Sequence, residues 1–265
     1  MNDLFESPER RRALGQFFTP VWAAEALIER LSADLGADDL VLEASCGAGA
    51  FLQALDPGIP AVGVELDPRV AAAARQRTGR RIVEGDFTTV DLDLHPTAIL
   101  GNPPWKLSTI DAFLARAHAL LPDGGKVGWV LPAYAFQTAS RVCRYAETWG
   151  LAQEMIPRNI FPGLSKPAVF ALFCKQRRRT LVGFALYREA RDVETMPEAY
   201  AGDLRAGSGS VWRAAVARAL DNLGGEADLA SLYAEIAPRR PTDTDWWREK
   251  VRQVCQRHFA RTGPG

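Results

Sequence analysis

Five short apolar runs recur between residues 39 and 132, and amphipathic stretches separate them. The runs are DLVLEA (39–44), PAVGVEL (60–66), RRIVEG (80–85), TAILGN (97–102) and KVGWVLP (126–132). Each is rich in Val, Ile or Leu and is bounded by Gly, Pro or Asp, so each reads as a buried strand. Between them the pattern turns helical. Pro68–Arg77 carries its proline in the first turn, where a missing N–H costs nothing. Asp111–Leu121 has apolar residues at Ala112, Leu114, Ala117 and Leu121, and the PDGG at its end stops it. Strand–helix alternation at this spacing predicts an α/β fold with a mostly parallel sheet. Two later runs, PAVFALFCK (167–175) and TLVGFALY (180–187), are joined by the short basic segment QRRR. They read as an antiparallel pair at the end of the sheet.

A chain of 265 residues with 47% hydrophobic residues can bury a sizeable core without staples. No apolar run approaches the roughly 18–20 residues of a membrane span. The start, MNDLFESPERRR, lacks the apolar stretch of a signal peptide. The four cysteines are scattered and give no metal-ligand spacing, so no metal is expected and a reducing cytoplasm is the expected location. The 32 Lys and Arg balance 32 Asp and Glu, which argues against nonspecific coating of polyanions but not against a local basic patch.

Such a patch is expected in the tail. From Arg205 onward there are about ten basic and about seven acidic residues. The small-residue stretch 201–210 (AGDLRAGSGS) reads as a linker between a catalytic domain, 1–200, and a small domain, 211–265. Within the latter, Val211–Leu223, Asp228–Ile236 and Asp245–Phe259 have helical periodicity. The third of these carries Arg248, Lys250, Arg252, Gln253, Gln256 and Arg257. A basic helix rich in Arg and Gln suits major-groove reading, although a solvated helix face has the same composition.

The strand ends carry the chemistry. Glu43-Ala44-Ser45-Cys46-Gly47-Ala48-Gly49 follows the first run and opens a helix, and its glycines allow a tight turn and close backbone approach to a ligand. An ordinary strand–helix turn uses the same residues. About 18 residues on, Glu65 ends the second run, where a carboxylate can take a ribose diol through two hydrogen bonds. Asp67, just before Pro68, is the better helix cap, which leaves Glu65 for a ligand. Asp86 and Phe87 end the third run and suit an exocyclic amine and a purine face. The fourth run ends in Asn102-Pro103-Pro104-Trp105. Two prolines stiffen this loop and hold Asn102 out of the α region. An amide oxygen and a neighbouring carbonyl then face one way, which suits an –NH2 group, and the Trp offers a stacking surface.

This ordered set resembles the S-adenosylmethionine-dependent amino-methyltransferases, within them the DNA adenine-N6 methyltransferases of the gamma arrangement. Gly15-Gln16-Phe17-Phe18-Thr19-Pro20 is similar to their N-terminal cofactor motif, Leu42–Phe51 to the glycine loop, Gly63–Pro68 to the acidic motif, Gly85–Phe87 to the adenine-contact motif and Asn102–Trp105 to the catalytic tetrapeptide. Ile160–Gly163 resembles the later motif whose aromatic packs on an extruded base. The likeness spans about residues 15–187. Ala44 departs from it, since the family often has Pro there. Protein-glutamine and ribosomal-RNA methyltransferases share the tetrapeptide.

The resemblance implies a Rossmann-like methyltransferase sheet with S-adenosylmethionine across the strand ends. The implied cofactor residues are Phe18, Thr19, Pro20, Glu43, Ser45, Cys46, Gly47, Gly49, Glu65, Leu66, Asp86, Phe87 and Asn102. A flipped-out adenine would stack between Trp105 and Phe161, with its N6 hydrogens accepted by Asn102 and by the Pro103 carbonyl. The tail resembles the winged-helix unit of some restriction-related proteins, with Arg248, Arg252 and Gln253 on duplex DNA; the wing is absent or cut off after Thr262. A homodimer on a palindromic site and a cognate restriction endonuclease, not needed for activity, are expectations by analogy. A structured RNA or a protein glutamine as substrate, or a catalytically inactive DNA-binding regulator, are the alternatives.

Overall fold

The computed structural model describes residues 19–32, 35–157, 160, 161, 164–176, 180–184, 187, 211–240 and 245–260. The chain divides into two compact units, Met1–Phe184 and Ala185–Gly265. The expected linker at 201–210 and the basic segments 10–12 and 177–179 lie outside the described residues.

The first unit is an eight-stranded sheet flanked by helices. Its elements in chain order are α1 (Val21–Ser32), β1 (Val41–Glu43), α2 (Ala50–Ala54), β2 (Ala61–Glu65), α3 (Pro68–Thr78), β3 (Arg81–Glu84), β4 (Ala98–Gly101), α4 (Leu107–Leu120), β5 (Lys126–Pro132), α5 (Ala139–Ala146), β6 (Gly150–Ile156), β7 (Ala168–Cys174) and β8 (Leu181–Val182). The strand order is β3-β2-β1-β4-β5-β7-β6-β8. β1 to β5 pair in parallel, as the alternation predicts. The order reverses between β1 and β4, the switch point where open sheets leave a crevice at their carboxyl ends. The central strands β1 and β4 are buried on both faces, which explains their unbroken apolar character.

The sheet's far end corrects one expectation. Run 167–175 is β7, and it lies antiparallel between β5 and β6, not against 180–187. Among the described residues of the last run, only Leu181–Val182 is a strand, and it pairs in parallel with β6. With both edges of β7 taken, no hairpin partner can reach it. The strand β6, GLAQEMI, was not apparent because its exposed Glu154 and Met155 break the apolar pattern.

Local residues account for the helix ends near the crevice. Asp67 caps α3, its Oδ1 accepting from the N–H groups of Arg69 (2.8 Å) and Val70 (3.4 Å), and Pro68 occupies the first turn. Gly49, at φ 79°, turns the chain into α2; a Cβ there would lie 2.6 Å from the Thr78 Cγ2 on α3. The apolar body of the unit fills with α1, α2 and the sheet, and it includes Trp105 and Phe161. No helix among the described residues is long and apolar enough to cross a membrane.

Among its described residues the second unit has the α-helices α6 (Val211–Asn222), α7 (Leu229–Ile236) and α8 (Trp247–His258). Asp228 caps α7 through the Ser231 N–H at 2.8 Å. Trp212, Val216, Leu232, Ile236, Trp247 and Val251 form its core.

Candidate active site at the strand ends

Parallel pairing brings the ends of four strands to one edge. Glu43 of β1 is in register with Gly63 of β2 and Leu100 of β4, and Glu65 of β2 is in register with Glu84 of β3. The motifs spread over sixty residues of sequence therefore share one crevice.

Glu65 is buried at this edge, and each of its oxygens accepts one backbone N–H: Gly47 at 2.8 Å and Asp67 at 3.0 Å. These bonds fix the carboxylate against the glycine loop and leave each oxygen a lone pair. Asp67 caps the helix instead, as its position predicted. Leu66, between them, is 69% exposed, a large apolar side chain turned out at the strand ends. Gly47 and Gly49 both have positive φ, 51° and 79°, which L side chains rarely adopt. Ser45 Oγ is buried within the loop and has no hydrogen-bond partner.

Glu43 is almost wholly buried, and its Oε2 accepts from the Leu52 N–H at 3.2 Å. Burial raises its pKa well above the usual carboxylate range, and the charge of Glu65 adds to the effect. Cys46 is also buried, and burial with both glutamates pushes its thiol strongly upward. It packs as a protonated side chain, not as a nucleophile.

Gly101 ends β4 with φ 144°, and its missing side chain leaves room beside Glu43 Cγ and the Ala44 nitrogen. Asn102 follows. Its Oδ1 accepts from the Trp105 indole N–H at 2.9 Å, and its Nδ2 lies 3.5 Å from Thr19 Oγ1. Thr19 stands just before α1 and is buried, so the N-terminal motif reaches the tetrapeptide across 83 residues. Phe18 lies outside the described residues; Pro20 immediately precedes α1, its carbonyl accepting from the N–H groups of Ala23 and Ala24. Tyr134, in the turn after β5, donates its hydroxyl to the Trp105 carbonyl. Lys166 lies 5.1 Å over the Tyr134 ring. No sequence motif pointed to Tyr134; its place just past the carboxyl end of a central strand was the available signal.

Three aromatic side chains sit deeper than expected. Phe87 is 2% exposed, packed on Phe113 at 4.9 Å, so its ring belongs to the core. Trp105 is 6% exposed and Phe161 1%, in the same buried cluster. Neither presents an open face in this structure. Asp86 is exposed, with Oδ1 held by the Thr88 N–H and hydroxyl at 2.8 and 2.7 Å. Arg141 and Arg144, on α5 after the fifth strand, are bound to Asp111 at 2.7 and 3.2 Å. His118, in the last turn of α4, packs edge-on against Trp149.

In the second unit, α8 turns Trp247 and Val251 inward and leaves Arg248, Arg252 and Gln256 exposed on one stripe, four residues apart. Arg248 stacks on Trp247 and Tyr233 at 5.2 and 5.8 Å, Arg252 pairs with Glu249 at 2.9 Å, and Gln253 is half-buried.

The fold is that of the class I S-adenosylmethionine-dependent methyltransferases. A Listeria monocytogenes structure described in those terms matches 71% of this chain and 69% of its own, with TM-score 0.51 and 13% identity. The 23S rRNA methyltransferase ErmE matches 90% of this chain and all of its own, with TM-score 0.50 and 19% identity. In sequence, the chain is similar to the Type II methyltransferase M.CvrRI of Paramecium bursaria Chlorella virus XZ-6E, 35% identical over 102 residues. That match takes in 37% of this chain and 26% of the relative, so the chain spans about a quarter of the relative's length. No family model matches the chain. The fold and the strand-end residues agree on S-adenosylmethionine as the cofactor: Leu66 offers an apolar surface, Glu65 a fixed carboxylate and Ser45 an unpartnered hydroxyl.

Proposed function

We propose that this chain transfers a methyl group to N6 of an adenine in duplex DNA. The observation that carries the reading is the position of the Asn102 carboxamide, at the carboxyl end of β4 and in the same crevice as Glu65 and Thr19. S-adenosylmethionine supplies, when bound, an electrophilic methyl on a sulfonium. Glu65 would hold its ribose through the lone pairs that Gly47 and Asp67 leave open, Leu66 and Asp86 would border the adenine, and the loop 45–49 would border the methionine end.

An adenine stacked in a duplex is out of reach and must be extruded. Asn102 Oδ1 and the Pro103 carbonyl accept its two N6 hydrogens. This draws the nitrogen lone pair out of conjugation with the ring and toward the methyl. The C–N bond would form as the S–C bond breaks, the neutral thioether would leave, and the nitrogen would give up one proton to solvent. Positioning and preorganised acceptors supply the catalysis.

DNA is favoured over RNA by the relative of the Type II class and by the exposed basic stripe of α8. In this reading the second unit acts as a winged-helix-like recognition module through Arg248, Arg252 and Gln253. A homodimer on a two-fold site and a cognate endonuclease accompany the reading by analogy. Transfer of labelled methyl from S-adenosylmethionine to DNA tests it: label should enter adenine in wild type and be lost in Asn102→Ala. Label entering RNA but not DNA would replace the substrate, and label in neither would refute the reading.

A further inference from the structure

We infer that Trp105 acts through its indole N–H, as a positioning residue that holds the Asn102 carboxamide in one orientation. The inference rests on the proposed role of Asn102 and adds to it. A carboxamide side chain has an oxygen and an –NH2 at nearly equivalent places, and only one of its two flips offers the oxygen to an incoming amine. An indole N–H is a donor only. The atom that meets it at 2.9 Å must therefore be Oδ1. On the other side, Nδ2 points to the Thr19 hydroxyl, which can accept. The reversed flip would set an –NH2 against the indole N–H, two donors facing each other in a half-buried site. Trp105 and Thr19 together thus select one flip before any substrate arrives.

An amide oxygen has two lone pairs, and the indole N–H engages one of them. The ring itself is 6% exposed, packed among core residues, and is held on its own main chain by the Tyr134 hydroxyl at the Trp105 carbonyl. A ring so enclosed is better suited to hold a neighbour than to serve as an open platform. Phe or Tyr at this position would supply a flat face and no donor at the indole nitrogen's place. The Trp thus carries a function that a stacking ring alone lacks.

Trp105→Phe keeps an aromatic face and removes the donor. In this variant kcat should fall by roughly tenfold or more, the order expected when a reacting group loses its alignment, while the Kd values for S-adenosylmethionine and for DNA stay near wild type. Turnover at the wild-type level would overturn the inference, since a face alone would then suffice. A second readout needs no turnover. In a proton–nitrogen correlation spectrum of the full chain, the Trp105 indole signal, assigned by its loss in Trp105→Phe, should move in Asn102→Ala. An indole signal that stays in place overturns the inference. Tyr134→Phe, which spares the Trp105 packing, should also lower kcat at unchanged cofactor Kd, and an unchanged kcat counts against the anchored loop. If wild type methylates no adenine, the proposed function fails, and the spectral result still decides whether the indole meets the carboxamide.

Discussion

At residue scale, the crevice works by giving its two buried carboxyl groups different tasks. Glu65 is pinned by two N–H groups, whereas burial raises the pKa of Glu43 well above the usual carboxylate range. The sign of the stability effect follows. A carboxyl whose pKa is raised on folding binds its proton more tightly in the folded state, so its stabilising contribution is complete at low pH. It is lost as pH rises from the ordinary carboxylate range toward the folded-state value. Glu43→Gln copies the neutral form. Its stability should gain on wild type as pH increases, by at most about 1.4 kcal/mol per pH unit, read as a rise in melting temperature relative to wild type. Melting curves that run parallel at all pH values would exclude this assignment. In the proposed reaction Asn102→Ala removes an acceptor of the nitrogen that receives the methyl and no partner of Glu65. Turnover should be lost while cofactor affinity, measured by calorimetry, stays within a few-fold of wild type. The polar residues of both motifs were legible in the sequence because their chemistry is fixed by type and spacing. The fate of Phe87, Trp105 and Phe161 was not, because ring burial depends on partners far along the chain, such as Phe113.

At element scale, the parallel half of the sheet could be read from its runs, since strands buried on both faces are apolar throughout. The far end could not. Adjacency in sequence favoured a hairpin of 167–175 with 180–187, but β5 and β6 take both edges of β7. The glycine loop is an element whose backbone carries the constraint. Gly49→Ala puts a Cβ on a left-handed residue and against α3, and should cost about 1–3 kcal/mol in chemical unfolding, with weaker cofactor binding. A variant as stable as wild type would mean that the loop is not shaped as described. Helix α8 carries the recognition proposal. Arg248→Ala with Arg252→Ala should weaken DNA binding and flatten the dependence of log K on log salt by about one for each phosphate no longer neutralised. An unchanged salt slope would assign this stripe to solvent.

At the scale of the whole molecule, the chain joins a sheet with cofactor chemistry at its carboxyl edge to a small helical unit with its own apolar core. The zero net charge hid this division, whereas the small-residue stretch 201–210 and the basic surplus after residue 205 pointed to it. The most direct measurement exposes unmethylated genomic DNA to the protein and S-adenosylmethionine, digests it to nucleosides and reads them by mass spectrometry. N6-methyladenine that accumulates with wild type and not with Asn102→Ala is the predicted result. DNA left unmodified, by protein that binds the cofactor, would contradict the central claim and turn attention to RNA and protein substrates.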